Sequence, residues 1–523
     1  MNLNYLLIWI IAFWCASLVV WMTRIPFNQL EGWVIATAFI LAVTIGIFNV
    51  NPDIAGLIGG SFWIILVLIP LMGMRKVNQL VSAGRYPEAR KLIARLRWLH
   101  PADGWVEQPE ILRALELGHR GEISEALNIL NRYQTNNTPI GRNATILVYR
   151  MGSRWYDLIA WVRHNSPEKL LKDPIVLTYY LRALGETGDL NGLVNEFFRF
   201  ERSLEKLGDS GTMNTIRMFV LAFCGQTEEL KKLLYGPLAI FPESSRDFWL
   251  ATAEMAAGNE ALGREKLLAL RNGSDISLQS AIAWRLSQPY VNAVQVLTES
   301  SQQALPRISK DFQHEIEYGR LLNLSGKKPY ATYLIIGLNC LVFALEILTG
   351  GSQSLENLYR LGALSPEAVW NGEWWRVLSA TFLHFGYLHL VMNMMGLYVL
   401  GSFVELSFGT WRYLISYFIC GMGSMFTIAF LATSPVAQVQ ITVGASGAIM
   451  GLIGVMGAIM LWGWWREKSR IAAKRLQSII WIVVLQAFFD LTTPQISILG
   501  HNSGLILGFL TGNLLLIGWR RKG

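Results

Sequence analysis

Ser446 and His501 could act as a nucleophile and its base, and each stands near the start of an apolar segment close to the C-terminus. Either segment is long enough to span a bilayer as a helix. The segment that follows His501 carries a glycine at every fourth position: Gly504, Gly508 and Gly512. Small residues at this spacing allow two membrane helices to approach closely. If the helices are parallel, the serine meets the imidazole, and a serine beside a histidine is an activated nucleophile.

The apolar run around Ser446 also predicts where the residue lies in its helix. Because the run opens at Thr442, we expect Ser446 about one turn inside a membrane helix, with Gly447 and Gly451 on nearly the same face. We expect Gly504 and Gly508 to accept alanine but nothing larger, because a valine would push one helix off the other.

Further polar residues precede this pair. They are Glu373-Trp374-Trp375-Arg376 in a loop, then His384, then His389 and Asn393 one helical turn apart, and Glu405 at the end of a helix. Polar groups at membrane depth are costly and usually mark a functional interior. We assign Arg376 and Glu405 to structural support of the loop and the helix end, and the two tryptophans to anchoring at the membrane interface.

Taken together, these motifs resemble the signature of the rhomboid intramembrane serine proteases. The resemblance covers about residues 330–519, and its motifs are Trp375-Arg376, His384, His389-x-x-x-Asn393, Gly444-x-Ser446-Gly447 and Gly500-His501-x-x-Gly504. It implies a six-helix bundle with a water-filled cavity that opens to the outer face. It also implies cleavage of the transmembrane segments of other membrane proteins.

The resemblance implies a role for each polar residue of the site. Ser446 would be the nucleophile, and His501 the general base and acid. The backbone N–H of Ser446, the Asn393 amide and His389 would stabilise the oxyanion. We find no carboxylate where a third member of a triad would stand, so we predict a dyad. The reaction needs no metal and no cofactor.

Six apolar runs and their flanking charges set the expected topology of this domain. The runs lie at about 330–349, 388–405, 412–432, 444–464, 476–490 and 500–519, and the amphipathic loop 350–387 is not a span. The segment 466–475 and the tail 520–522 are basic and therefore cytoplasmic, whereas 433–443 and 491–499 carry no Lys or Arg and face outside. The fourth and sixth helices are then parallel.

The N-terminal segment, residues 1–74, contains three apolar runs at about 5–22, 33–50 and 54–74. The first run has no basic start and no small-residue cleavage site, so we predict an uncleaved span. Arg24 and Arg75-Lys76 are placed in the cytoplasm and the N-terminus outside. The alternative is that two of these runs form a shallow hairpin.

Residues 75–329 show a helical pattern with a recurring glycine turn. Successive turn glycines are 37, 31, 36, 37 and 33 residues apart, at Gly84, Gly121, Gly152, Gly188, Gly225 and Gly258. A period near 34 is typical of tetratricopeptide-like helix pairs, although the full consensus is absent. Such a solenoid could bind a peptide or protein partner on its concave face, or act as a spacer. We expect its histidines to face solvent: His100, His119, His164 and His314.

Composition limits the remaining possibilities. The chain is 52% hydrophobic and 16% charged, which indicates a large lipid-facing surface. Much of the net charge of +8 flanks membrane spans, so it is no signal for nucleic acid. The four cysteines show no paired spacing, and we expect neither a disulfide framework nor a zinc site.

The sequence therefore predicts an all-α, multi-pass protein in a bacterial plasma membrane. Its predicted domains are an anchor at 1–74, cytoplasmic repeats at 75–329 and a protease bundle at 330–523. One alternative is a catalytically silent scaffold or insertion factor that acts through its repeats, although silent relatives usually lack the serine or the histidine. The other alternative, a transporter, predicts inverted repeats between halves, and the sequence shows none.

Overall fold

The protein is built from helices in every range that the structure describes. This computed structural model describes residues 3–22, 30–135, 137–207, 209–272, 276–289, 291–319, 328–431, 441–492 and 497–517. Within those ranges, the paired extended residues are Leu364 and Thr442, which form one isolated bridge. Seven described helices are long and apolar enough to cross a membrane. The prediction of an all-α, multi-pass membrane protein is confirmed.

The helices pack into two compact units, Asn2–Ser309 and Lys310–Gly523. The first unit begins with apolar helices α1 (Leu3–Met22), α2 (Glu31–Val50) and α3 (Pro52–Ser82). The side chain of Asn51 accepts a hydrogen bond from the N–H of Asp53 at 3.1 Å, so Asn51 caps α3 and separates it from α2. Helices α2 and α3 are candidate spans and α1 is not, so three full spans stay a prediction.

After α3, the chain continues as helices joined by turns, and the last of them begins in the first unit and ends in the second. They are α4 (Tyr86–Leu96), α5 (Gln108–Arg120), α6 (Ile123–Asn131), α7 (Pro139–Met151), α8 (Trp155–His164), α9 (Pro167–Leu170), α10 (Pro174–Glu186), α11 (Leu190–Leu207), α12 (Ser210–Phe223), α13 (Thr227–Leu234), α14 (Glu243–Ala256), α15 (Glu260–Arg271), α16 (Ile276–Ser287), α17 (Ala293–Val296) and α18 (Glu299–Gly319).

The predicted turn glycines lie between these helices. Five of them have φ between 71° and 104°, a left-handed conformation that favours glycine: Gly84, Gly121, Gly188, Gly225 and Gly258. At the sixth turn Gly152 has φ −84° and the next residue, Ser153, has φ 50°. The helix–turn–helix spacing follows the predicted period, and the tetratricopeptide-like assignment stays a prediction.

His100 does not face solvent, contrary to the sequence prediction. It is fully buried, and its ring packs against Trp33 and Trp105 with centroids 4.1 and 4.9 Å away. Its Nδ1 lies 2.9 Å from a carboxylate oxygen of Asp103, and its Nε2 lies 2.9 Å from the carbonyl oxygen of Leu66. The prediction failed because residues of α2 and α3, distant in sequence, cover this histidine.

The second unit contains the helices of the predicted bundle. They are α19 (Tyr330–Thr349), α20 (Leu355–Leu361), α21 (Pro366–Trp370), α22 (Arg376–Ser379), α23 (Tyr387–Phe408), α24 (Thr410–Leu431), α25 (Ser446–Glu467), α26 (Arg470–Thr492) and α27 (Ile498–Ile517). The six long helices match the six predicted apolar runs, and the three short ones fill the predicted amphipathic loop. Residues 433–440 and 493–496 of the two predicted outer loops, the basic tail and Arg24 lie outside the described residues.

Burial places α25 at the centre of this unit. In the most apolar stretch of α25, 83% of the residues are buried, compared with 11% of the residues in the most apolar stretch of α26. The core around α25 includes Leu452, Val455 and Ala458, none of which is exposed. The central helix therefore holds the residues at its start against the surrounding helices.

Two charged side chains fix the backbone around this core. The Glu405 carboxylate accepts hydrogen bonds from the N–H groups of Ala331 and Thr332 at 3.1 and 2.8 Å, and so caps the start of α19. The buried Arg376 donates to the carbonyl oxygens of Tyr359 and Ala363 at 2.7 and 2.9 Å. Its guanidinium thereby holds the loop that precedes α23.

Candidate active site

Helices α25 and α27 touch backbone to backbone through their glycines. A Cβ atom on Gly504 would overlap the carbonyl oxygen of Gly447, and one on Gly508 would overlap that of Gly451. Residue numbers increase in the same direction along both helices from the first contact to the second. The two helices are therefore parallel, as the sequence predicts. The expectation that alanine fits at Gly504 and Gly508 is wrong, because the added methyl group itself has no room.

This register brings Ser446 and His501 to the same end of the helix contact. The two residues are the chain neighbours of Gly447 and Gly500, and a Cβ on Gly447 would lie 3.6 Å from the carbonyl oxygen of Gly500. His501 is buried, with 8% of its surface exposed. The close glycine contact thus sets how near the serine and the imidazole stand.

Ser446 is the first residue of α25, not a residue one turn inside it. The preceding chain is extended, because Thr442 exchanges two backbone hydrogen bonds of 3.0 Å with Leu364. Gly444 follows with φ 128°, and its N–H donates to the carbonyl oxygen of Ala380 at 2.9 Å. These contacts stop the helix from starting earlier. Since the first N–H groups of a helix have no intrahelical acceptor, the N–H of Ser446 can donate to an anion.

His389 and Asn393 lie against Gly444, two residues before Ser446. A Cβ on Gly444 would be 2.9 Å from Nε2 of His389 and 3.7 Å from Nδ2 of Asn393. The N–H of Phe385 donates to Nδ1 of His389 at 3.3 Å, so a neutral His389 carries its proton on Nε2. The Nδ2 of Asn393 is buried and has no hydrogen-bond partner among the described residues. Two donors therefore converge beside the serine.

His384 supports His389 from the preceding loop, with ring centroids 5.3 Å apart. Burial, with a smaller contribution from His389, lowers the pKa of His384 to about 3, so its imidazole is neutral. The buried carboxylate of Glu346 accepts the N–H of His384 at 2.9 Å. Sequence reasoning missed Glu346, although it is the one acidic residue in the apolar α19.

A carboxylate does contact the catalytic candidate His501, which corrects the prediction that none stands there. Oδ2 of Asp490 lies 2.8 Å from Nδ1 of His501, and Asp490 is 3% exposed. The two are eleven positions apart in the sequence, and the end of α26 and the start of α27 bring them together. Asp490 is the single acidic residue of α26, a signal that the sequence offered and that we did not use.

The remaining predicted residues lie around this centre. Trp374 and Trp375 are about half exposed, at 49% and 52%. A Cβ on Gly447 would also overlap the hydroxyl of Ser424 on α24, so α24 closes the site from a third side. Among the described residues, no group of three or more His, Cys, Asp or Glu side chains could hold a metal ion.

This arrangement has the parts that acyl transfer requires. Ser446 supplies a hydroxyl and His501 a ring nitrogen, Nε2, that the contact with Asp490 leaves unoccupied. The N–H of Ser446 and the side chains of His389 and Asn393 supply donors for a developing oxyanion. A serine hydrolase uses a set of groups of this kind, and here they lie at the start of the apolar helix α25.

Comparison with known proteins places this site in a family. The Rhomboid domain model matches residues 371–518. The chain is 34% identical to the rhomboid protease GluP of Bacillus subtilis (strain 168) over 188 residues, which are 36% of this chain and 35% of GluP. It is 33% identical to YdcA, a candidate rhomboid protease of the same organism, over 142 residues, which are 27% of this chain and 67% of YdcA.

A further relative carries a different description. The Inactive RHOMBOID-like protein 8 of Arabidopsis thaliana is 34% identical over 122 residues, which are 23% of this chain and 33% of that protein. The matched regions span about a third of the length of GluP and about a third of the length of the Arabidopsis relative. The similarity thus concerns the second unit, and it includes relatives named as proteases and one named as inactive.

Proposed function

Because this chain belongs to the rhomboid family, we propose that it is an intramembrane serine endopeptidase that cleaves the transmembrane segments of other membrane proteins. The observation that carries the proposal has two parts: Ser446 and His501 adjoin the Gly447–Gly500 contact, and the side chains of His389 and Asn393 lie against Gly444. A buried amide donor without a partner, such as that of Asn393, costs stability, and oxyanion binding during the reaction accounts for its retention.

The proposed reaction begins when Oγ of Ser446 attacks the scissile carbonyl carbon. Nε2 of His501 takes the hydroxyl proton as the new C–O bond forms. The oxyanion accepts hydrogen bonds from the N–H of Ser446, Nδ2 of Asn393 and Nε2 of His389. When the C–N bond breaks, His501 returns the proton to the leaving amine, and water then hydrolyses the acyl ester by the same steps.

The family also includes proteins named as inactive, so a silent scaffold is the competing function. Both Ser446 and His501 are present and lie at one end of the α25–α27 contact, which favours the protease. A serine-directed fluorophosphonate probe separates the two functions. We expect wild-type protein to be labelled and Ser446→Ala to remain unlabelled, whereas a scaffold would show no labelling that depends on Ser446.

The cleavage test uses purified full-length protein with a model transmembrane substrate. We expect Ser446→Ala and His501→Ala to abolish cleavage while the fold is retained. Ser478→Ala on the exposed face of α26 is the matched control, because it removes a serine hydroxyl far along the chain from the site. Cleavage by purified Ser446→Ala protein would refute the proposed nucleophile.

We further propose that the active site opens to the external side and that the helical repeats lie in the cytoplasm. Arg75 and Lys76 in the last part of α3 and the basic residues of the segment 466–475 support this orientation. The repeats then cannot reach the scissile bond, so any selection they make acts on the cytoplasmic tail of a substrate or on an adaptor.

An impermeant thiol reagent tests this orientation. We expect Lys231→Cys, an exposed position on α13, to be labelled after the membrane is permeabilised and not in intact cells. The protein would carry serine at its four native cysteine positions, and that parent is the control for background labelling. Labelling of Lys231→Cys in intact cells would refute the orientation and the tail-binding role together.

A further inference from the structure

Asp490 is a buried acidic residue in a part of α26 whose other residues are not buried. From residue 480 to residue 491 it is the one buried residue, and its neighbours on α26 are exposed or half-buried. The same stretch is apolar, and an ionisable side chain at membrane depth is costly unless it is paired. The pairing partner is His501, whose Nδ1 lies 2.8 Å from Oδ2 of Asp490.

Both oxygens of the Asp490 carboxylate are occupied, so its orientation is fixed. Nε2 of Gln486, one turn earlier on α26, donates to Oδ1 at 2.8 Å. Oδ2 is then directed at His501. A carboxylate that accepts at Nδ1 selects the tautomer with its proton on that nitrogen, and so leaves Nε2 unprotonated. This is the tautomer in which His501 can take a proton from Ser446.

We propose that Asp490 is a positioning residue that holds His501 in its base tautomer and stabilises the imidazolium formed during catalysis. The inference rests on the proposed protease function and deepens it, because it turns the predicted dyad into a three-residue arrangement. Asp490 acts through His501 and does not touch the substrate. The residues involved come from three helices: Asp490 from α26, His501 from α27 and Ser446 from α25.

The proton balance of the step is simple. As the bond between Oγ of Ser446 and the carbonyl carbon forms, the hydroxyl proton moves to Nε2 of His501. The Nδ1 proton stays on His501, and Asp490 stays ionised throughout. The positive charge that appears on the ring is then 2.8 Å from a negative carboxylate oxygen. The reverse transfer to the leaving amine restores the starting charges.

The competing explanation is that Asp490 only ties the end of α26 to α27. Kinetics separate the two roles, since a structural tie affects stability and substrate binding, whereas a positioning residue affects turnover. The variants are Asp490→Ala, the isosteric and uncharged Asp490→Asn, and Asp490→Glu, which keeps the charge. Val484→Ala, at an exposed site on the same helix, is the control.

We expect Asp490→Ala and Asp490→Asn to lower kcat by roughly 10- to 100-fold, the range of a charge-assisted hydrogen bond. KM and the melting temperature should change little in Asp490→Asn, Asp490→Glu should recover part of the loss, and Val484→Ala should match wild type. Should Asp490→Ala fail to fold, Asp490→Asn decides. A kcat of Asp490→Asn within twofold of wild type would overturn the proposal.

A spectroscopic measurement tests the same inference without any cleavage. In 15N-histidine NMR of Ser446→Ala protein, with the His501 signal assigned from His501→Gln, we expect the proton on Nδ1. Asp490→Ala should lose this preference, and a proton on Nε2 with Asp490 intact would overturn the inference. If wild type shows no turnover that depends on Ser446, the protease function fails instead, and the tautomer measurement still decides what Asp490 does to His501.

Discussion

Gly508 on α27 lies directly against the backbone of α25, and replacing it with alanine tests whether this contact sets the geometry of the site. The added methyl group would overlap the carbonyl oxygen of Gly451 and lie 2.6 Å from its Cα, whereas ordinary contact begins at 3.4 Å. Both obstructing atoms belong to the backbone, so no side-chain rotation relieves the overlap. The helices must separate by at least about 0.8 Å, the difference between the two distances.

The size of the effect follows from this separation. Misplacing reacting groups by about 1 Å can cost roughly 10²-fold in rate. Overfilling a packed core costs roughly 1–3 kcal/mol of stability. We therefore expect Gly508→Ala to lower kcat by about 10²-fold, with membrane insertion retained and a modest fall in melting temperature. Gly508→Val should lose more activity, because its side chain is wider.

The assay is cleavage of a transmembrane substrate by purified protein, with the melting temperature measured in the same detergent. Gly457→Ala is the matched control, because a Cβ at this position on α25 would meet only one ring atom of Phe509, at 3.8 Å. We expect the control to keep wild-type kcat. A Gly508→Ala protein with wild-type kcat and stability would show that the helices do not meet at these glycines.

Three further predictions concern other contacts. Asn393→Ala should lower kcat by roughly 10²–10³-fold with little change in KM, and a change confined to KM would refute its oxyanion role. Glu405→Ala should remove roughly 1.5–3 kcal/mol of stability, measured by thermal unfolding, because two buried N–H groups of α19 lose a charged acceptor. Glu186→Ala should cost roughly 3–5 kcal/mol, because it leaves the buried Arg285, now 2.6 Å from the carboxylate, unpaired. The exposed pair of Arg154 and Asp157 is the control, and Asp157→Ala should cost roughly 0.2–1 kcal/mol. Equal losses in both variants would contradict the role of burial.

The sequence alone determined the elements of the bundle and the pair of catalytic candidates. Long apolar runs become helices because a membrane leaves no other way to satisfy the backbone, and that choice depends on each segment by itself. Glycine at every fourth position lies on one helix face, so the α25–α27 contact was predictable from spacing. The family motifs then placed Ser446, His501, His389 and Asn393 on these elements.

The same local reasoning failed where a long-range contact decides the outcome. The apolar run opens at Thr442 and passes through Ser446 without a break in the sequence. The helix α25 nevertheless starts only at Ser446, because Leu364 pairs with Thr442 and holds the chain before it extended. His100 lies in a polar region, yet Trp33 from another helix covers it. The spacing of residues around Thr442 does not identify Leu364 as its partner, and the spacing around His100 does not identify Trp33.

Asp490 shows most clearly what only the tertiary structure decided. From the sequence it is one acidic residue near the end of an apolar run, eleven positions before His501, and nothing in that spacing turns it toward the imidazole. Its direction depends on how α26 and α27 pack and on the hydrogen bond from Gln486. Helix periodicity fixes which residues share a face of one helix. The relative rotation of two helices depends on the packing of all their side chains, and that rotation brings the carboxylate to the histidine.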